Sequence, residues 1–63
     1  MKGTVKWFSE IKGYGFIKVQ GMKDVFFHKS ALPKGYLPEN DDYVEFNLVH
    51  AERGDAAENI AKA

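Results

Sequence analysis

Apolar and polar residues alternate along several short segments of this chain, which is the pattern of β-strands with one buried face. These segments are rich in β-branched and aromatic residues, and turn-forming pairs such as Lys12-Gly13 and Gln20-Gly21 separate them. The spacing predicts about five strands, at residues 3–9, 14–20, 23–28, 43–49 and 56–61. Ser30-Ala31-Leu32 fits one short helical turn that Pro33 ends. The last segment, residues 56–63, also has helical propensity.

The alternation also assigns the two faces of the second and third predicted strands. The side chains expected to face the core are Ile17, Val19, Val25 and Phe27. The opposite face then carries Tyr14, Phe16, Lys18, Asp24, Phe26 and His28. The Gln20-Gly21 turn joins the strands into a hairpin, so we expect the outward rings to lie side by side. A row of exposed rings favours aggregation unless it has a ligand, and it therefore indicates a binding surface. On the fourth strand, the core face is Val44, Phe46 and Leu48.

Composition limits the chain to a small set of protein classes. Its 63 residues suffice for one domain, assigned to residues 1–63, with a small core. The absence of cysteine excludes disulfides and thiolate metal sites, and two histidines with scattered acids do not suit a metal, so we expect no metal and no cofactor. No apolar run approaches the ~20 residues of a membrane span, and the N-terminus does not resemble a signal peptide. We therefore expect a cytoplasmic monomer without a membrane partner.

Charge is distributed unevenly, although the formal net charge is zero. Residues 1–36 carry seven lysines against two acids, a net charge of +5. Residues 37–63 carry Arg53 and Lys62 against seven acids, a net charge of −5. Seven of the nine aromatic residues also lie in the basic part, which suggests one face for a polyanion. Charge alone is equally compatible with a mixed solvated surface.

The basic part combines rings and cations in the way that single-stranded nucleic acid requires. Rings stack on bases of any sequence, and cations follow the phosphates. The segments that meet this requirement are Lys6-Trp7-Phe8, residues 12–17 and residues 24–28. Lysines stand beside rings in these segments, so they favour binding of single-stranded RNA or DNA.

The same segments resemble the cold-shock domain family. Lys12-Gly13-Tyr14-Gly15-Phe16-Ile17 is similar to its first ribonucleoprotein motif and Val25-Phe26-Phe27-His28 to its second, while Lys6-Trp7-Phe8, Ser30-Ala31-Leu32 and Arg53-Gly54 fit the rest. The resemblance covers nearly the whole chain. It implies an all-β fold, a five-stranded antiparallel oligonucleotide-binding (OB) barrel. It also implies binding of single-stranded RNA and DNA, with an RNA-chaperone role.

The resemblance assigns the contact surface residue by residue. On this chain the family's surface falls on Lys6, Trp7, Phe8, Lys12, Tyr14, Phe16, Asp24, Phe26, His28, Tyr36 and Arg53. Lys18 and Lys29 are further candidate phosphate partners. Simple alternation places Trp7 on the side of Val5, whereas the family's surface needs Trp7 outside, so a bulge or sharp coil is expected in the first strand.

This chain departs from the family's pattern at several positions. The family usually has Asn where Ser9 stands, and it often has an aromatic residue where Lys29 stands. One stacking platform is therefore replaced by a phosphate contact. Asp55 replaces a common Pro, and the loop around Tyr36 is shortened.

Two other functions also need consideration for this residue pattern. Asp24, His28 and Ser30 have the residue types of a catalytic triad, but a barrel this small offers no pocket for a substrate, so we do not expect an enzyme. The alternative is a protein-interaction barrel that binds proline-rich peptides through its aromatic groove. Acids usually flank such grooves. Here lysines flank the rings, which favours phosphate.

Overall fold

Five strands are present in the computed structural model, which describes residues 1–51 and 54–63. They are β1 (Lys2–Ser9), β2 (Tyr14–Lys18), β3 (Val25–His28), β4 (Tyr43–Ala51) and β5 (Gly54–Lys62). Each corresponds to a predicted strand, with ends that differ by no more than two residues. A 3-10 helix at Lys29–Ala31 follows β3, one residue earlier than the predicted helical turn. The final segment is a strand despite its helical propensity, because it pairs with β4 along most of its length.

The strands close into a barrel in the order β1-β2-β3-β5-β4. Four of the neighbouring pairs are antiparallel. The remaining pair, β3 with β5, is parallel and is joined at a single position, Phe26 opposite Ala56. The expected five-stranded OB-type barrel is therefore confirmed, with one parallel seam that alternation along the chain does not specify. Within the described ranges, no helix is long and apolar enough to cross a membrane.

The core is made by the inward positions of all five strands. Its buried members are Val5, Ile17, Val19, Val25, Phe27, Val44, Phe46, Ala57 and Ile60. The predicted core face of the β2–β3 hairpin is thus confirmed, and Leu48 packs against this core while only partly buried. Gly15 faces the same interior. A Cβ there would lie 2.8 Å from Cζ of Phe27 and 2.4 Å from the backbone oxygen of Trp7, so only glycine lets these strands approach so closely.

A bulge in β1 places Trp7 on the outer surface. The register of β1 on β2 passes from Val5 opposite Ile17 to Trp7 opposite Phe16, which leaves Lys6 as the extra residue. An extra residue reverses the inward and outward alternation beyond it. Val5 is therefore buried while Trp7 turns outward beside Phe16, and the irregularity expected in the first strand is confirmed.

Candidate nucleic-acid interface

Four aromatic rings from three adjacent strands form one continuous cluster on the outside of the barrel. The ring cluster consists of Trp7, Tyr14, Phe16 and Phe26. Ring centroids lie 5.4 Å apart for Trp7–Phe16 and 5.9 Å apart for Phe16–Phe26, within the range of favourable aromatic pairs. The contacts are tilted or edge-on, so the rings support one another without covering one another completely. Phe26 remains 38% exposed.

His28 extends this row at the end of β3, directly opposite Tyr14 in the strand register. Its Nδ1 accepts a hydrogen bond of 3.1 Å from the backbone N–H of Ser30. A backbone amide can only donate, so in the neutral imidazole the hydrogen must be on Nε2. The ring is exposed, and this bond fixes its orientation next to the ring cluster.

Phe8 and Tyr36 lie outside the ring cluster and line a groove with a volume of about 410 Å³. Phe8 is only partly exposed, and its ring stacks on the buried ring of Phe27 with centroids 5.7 Å apart and planes at 15°. Lys29, a predicted phosphate partner, also lines this groove. The predicted contact surface therefore comprises a row on the barrel wall and a groove beside it, which we call the Tyr36 groove and which meets the row at His28.

Tyr36 is held in its groove through its hydroxyl group. The O–H donates a 2.8 Å hydrogen bond to Oδ2 of Asp42, which also accepts one from the backbone N–H of Glu39. Partial burial, this hydrogen bond and the nearby negative charge raise the pKa of Tyr36 to about 12. The two donors in turn lower the pKa of the Asp42 carboxyl below its usual value, the Glu39 amide having the larger effect. Tyr36 is thus neutral and anchored at physiological pH.

Two of the predicted cationic residues lie at these regions: Lys6 pairs with Asp24 next to the ring cluster, and Lys29 lines the Tyr36 groove. Lys6 and Asp24 form an ion pair of 2.7 Å across the outer surface, with both side chains in contact with solvent. Such an exposed pair contributes little stability in water, so Lys6 can exchange Asp24 for a phosphate at small cost. Lys12, Lys18 and Lys29 are also exposed. Arg53 lies outside the described residues.

Sequence reasoning did not identify several residues that line these surfaces. Lys34 and Leu37 contribute to the Tyr36 groove, and Glu58 and Asn59 line a cleft with Phe26 and His28. The chain gave no local signal for Glu58, because β5 reaches β3 only when the barrel closes. Across residues 1–51 and 54–63, no group of three or more histidine or acidic side chains is arranged to hold a metal ion.

Known proteins resemble this chain in both sequence and structure. The family described as "'Cold-shock' DNA-binding domain" matches residues 1–63. Relatives named "Cold shock protein CspA", from Staphylococcus saprophyticus and Staphylococcus aureus, are each 49% identical over 63 residues, which covers 97% of this chain and 96% of theirs. The solved structure "drosophila Unr CSD456" is similar with a TM-score of 0.77 and 28% identity. That match covers 98% of this chain and 26% of the much longer Drosophila chain.

Proposed function

Because this chain belongs to the cold-shock domain family, we propose that it binds single-stranded RNA and DNA by stacking bases on the ring cluster. The family itself is one of nucleic-acid-binding domains. The observation that carries the finer proposal is the outward position of four mutually supported rings on the barrel wall, of which Phe26 is exposed and the other three are partly exposed. Rings in this position contribute little to the core, and their flat faces suit unpaired bases.

The ring cluster is arranged in advance for stacking. Trp7, Tyr14 and Phe16 each contact at least two other rings of the cluster, so little side-chain freedom remains to be lost on binding. Every base has a π-face, so such a surface tolerates any sequence. A duplex hides these faces inside its stack, and the same surface therefore selects unpaired strands.

Exposed lysines supply the phosphate contacts in this proposal. Lys12, Lys18 and Lys29 reach solvent, with Lys29 in the lining of the Tyr36 groove, and Lys6 leaves Asp24 when a phosphate approaches. The chain has no net charge, so these contacts act locally. Moderate, sequence-tolerant binding of unpaired strands is what an RNA chaperone needs. We propose that role for a cytoplasmic monomer that uses residues 1–63 as one binding domain and carries out no catalysis.

Fluorescence of Trp7 tests the proposed function directly, since it is the only tryptophan and lies in the ring cluster. We expect a short oligothymidine to quench this fluorescence, with a site at the lower end of the ~4–16 nucleotides that such barrels cover. A duplex of equal length and a proline-rich peptide are the matched controls. Equal affinity for the duplex would contradict stacking, and tighter binding of the peptide would favour a protein-interaction barrel.

A further inference from the structure

The parallel seam of the barrel opens into a cleft beside the aromatic row. β3 and β5 are paired only at Phe26 opposite Ala56, and residues of both strands line a cleft next to this position. This cleft, which we call the seam cleft, has a volume of about 250 Å³. Its lining includes Phe26 and His28 from β3 and Ala57, Glu58 and Asn59 from β5. This volume lies below that of a typical small-molecule pocket and suits a single planar group.

The side chain of Glu58 lies on the outer face at this cleft. Ala57 is 3% exposed and faces the core, so its neighbour Glu58 points outward and is exposed. Phe26 and His28 are the outward residues of the adjacent strand. Asn59 has a positive φ of 54°, which interrupts the alternation, so it is exposed as well. Both residues line the cleft together with Phe26 and His28, and a base stacked on either ring would have its edge near the Glu58 carboxylate and the Asn59 amide.

The chemistry of this edge favours one base. An ionised carboxylate only accepts hydrogen bonds, whereas an asparagine amide both donates and accepts. The Watson–Crick edge of guanine presents two adjacent donors, N1–H and the N2 amino group, next to the acceptor O6. Thymine and uracil present one N–H between two carbonyl oxygens, which a carboxylate repels. Guanine is thus the base whose edge matches Glu58 with Asn59.

We propose that the seam cleft is a base-reading site at which Glu58 confers a preference for guanine, within an otherwise sequence-tolerant surface. The proposal rests on the proposed function, because the base must first stack on the aromatic row. Glu58 then acts as a specificity-determining residue. It accepts from N1–H and N2–H of the base, while Asn59 donates to O6.

A base-substitution series tests this proposal. A thymidine oligomer in which one guanine is moved through every position is titrated against the Trp7 fluorescence of the full chain. We expect one position at which guanine binds about tenfold tighter than thymine, as for a carboxylate that accepts two hydrogen bonds at a solvated edge. Hypoxanthine, which lacks only the N2 amino group, should lose most of that gain.

Variants of the chain separate the base reading from general effects of charge. Glu58→Ala should abolish the guanine preference and leave binding of the all-thymidine oligomer equal or slightly tighter. Glu45→Ala is the matched control, because Glu45 is an exposed acid on β4 that does not line the seam cleft. It removes the same charge and should retain the preference.

The possible outcomes distinguish the two proposals. If the all-thymidine oligomer binds but guanine gives no advantage at any position, or if Glu58→Ala keeps the advantage, the base-reading proposal is wrong while the proposed function stands. If no single strand binds at all, the proposed function fails and the base-reading site fails with it.

Discussion

The two faces of the β2–β3 hairpin use similar residues for opposite purposes. Phe26 and Phe27 are neighbours with the same side chain, yet Phe27 is fully buried in the core while Phe26 is 38% exposed in the ring cluster. On β2, Ile17 is fully buried beside the partly exposed Phe16. The identity of a side chain therefore does not decide its role here. Its position in the alternation along the strand decides its role, because successive residues face opposite sides of the sheet. Each strand therefore contributes both to the core and to the proposed binding surface.

A substitution on the core side of the hairpin should cause the largest loss of stability. Phe27→Ala removes a fully buried ring against which Phe8 stacks, so we expect the free energy of unfolding to fall by about 3–5 kcal/mol. The denaturant midpoint measures this loss. In a domain this small the variant is expected to be largely unfolded. If Phe27→Ala keeps its stability and loses only binding, the assignment of the two faces is inverted.

A substitution on the outer side of the hairpin should instead weaken binding and leave stability nearly unchanged. Phe26→Ala leaves the core intact, so we expect stability to change by about 1 kcal/mol or less. Removal of one stacking platform should weaken binding of an oligothymidine by about 1–3 kcal/mol, which a Trp7 fluorescence titration measures. Phe16→Ala should behave in the same way. Unchanged binding per folded molecule would show that the ring cluster is structural and would remove the basis of the proposed function.

Salt dependence measures how much of the outer face acts through charge. If two to four of the exposed cations contact phosphates, at about 0.7 counterions released per contact on a single strand, log K against log[salt] should have a slope of roughly −1.5 to −3. Fluorescence titrations at several salt concentrations give this slope. A slope near zero would mean that the lysines take no part, whereas a much steeper one would make stacking secondary to charge.

A smaller effect on stability is expected in acid at the Tyr36 groove, because the Tyr36 ring is held there by a hydrogen bond to Asp42 as well as by packing. The pKa of Asp42 is lowered in the folded chain from its ordinary value of 3.8, so its stabilising effect is present above that value and is lost as the pH falls through the folded pKa. Asp42→Asn should therefore be less stable than the original chain at pH 7. The difference in denaturant midpoint should narrow as the pH falls below about 4.

Asp41→Asn is the control for this experiment. Asp41 has a positive φ of 73°, which asparagine tolerates well, and its backbone N–H donates to Val5 whatever its side chain is. Asp41→Asn removes a carboxyl from the same loop without removing the hydrogen bonds of Asp42, so its denaturant midpoint at each pH is the baseline for that of Asp42→Asn. If the difference in denaturant midpoint between Asp42→Asn and the original chain stays constant from pH 7 to pH 3, the ionised Asp42 carboxylate, which accepts from the Glu39 amide and the Tyr36 hydroxyl, does not stabilise the fold.

Local alternation explains why most of the fold was predictable. The faces of Ile17, Val25 and Phe27 follow from a period of two, which depends only on neighbours along the chain. The bulge at Lys6 was not visible in that pattern, because an extra residue interrupts the period itself. Only the resemblance to the cold-shock domain family supplied it, and the register of β1 on β2 confirms it.

Contacts that form only on closure of the barrel were not predictable in the same way. The parallel pairing of β3 with β5 brings Glu58 beside His28, although thirty residues separate them in the chain. The separation of Phe8 and Tyr36 from the ring cluster likewise depends on how the loop before β4 folds back. The positions of the site residues on their strands followed from the sequence. The sequence did not predict how barrel closure arranges these residues into a row, a groove and a cleft.

The bulge in β1 also determines where the coding sequence tolerates a change in length. β1 has one residue more than its pairing with β2 requires, and that residue is Lys6. Loss of codon 6 would join Val5 directly to Trp7 and keep both on their present faces, at the cost of one cation and of local curvature. Loss of codon 4 would instead reverse the faces of all residues before it and force the buried Gly3 outward. Natural or engineered single-residue deletions in this strand are therefore expected to survive at Lys6 and to be eliminated at Thr4.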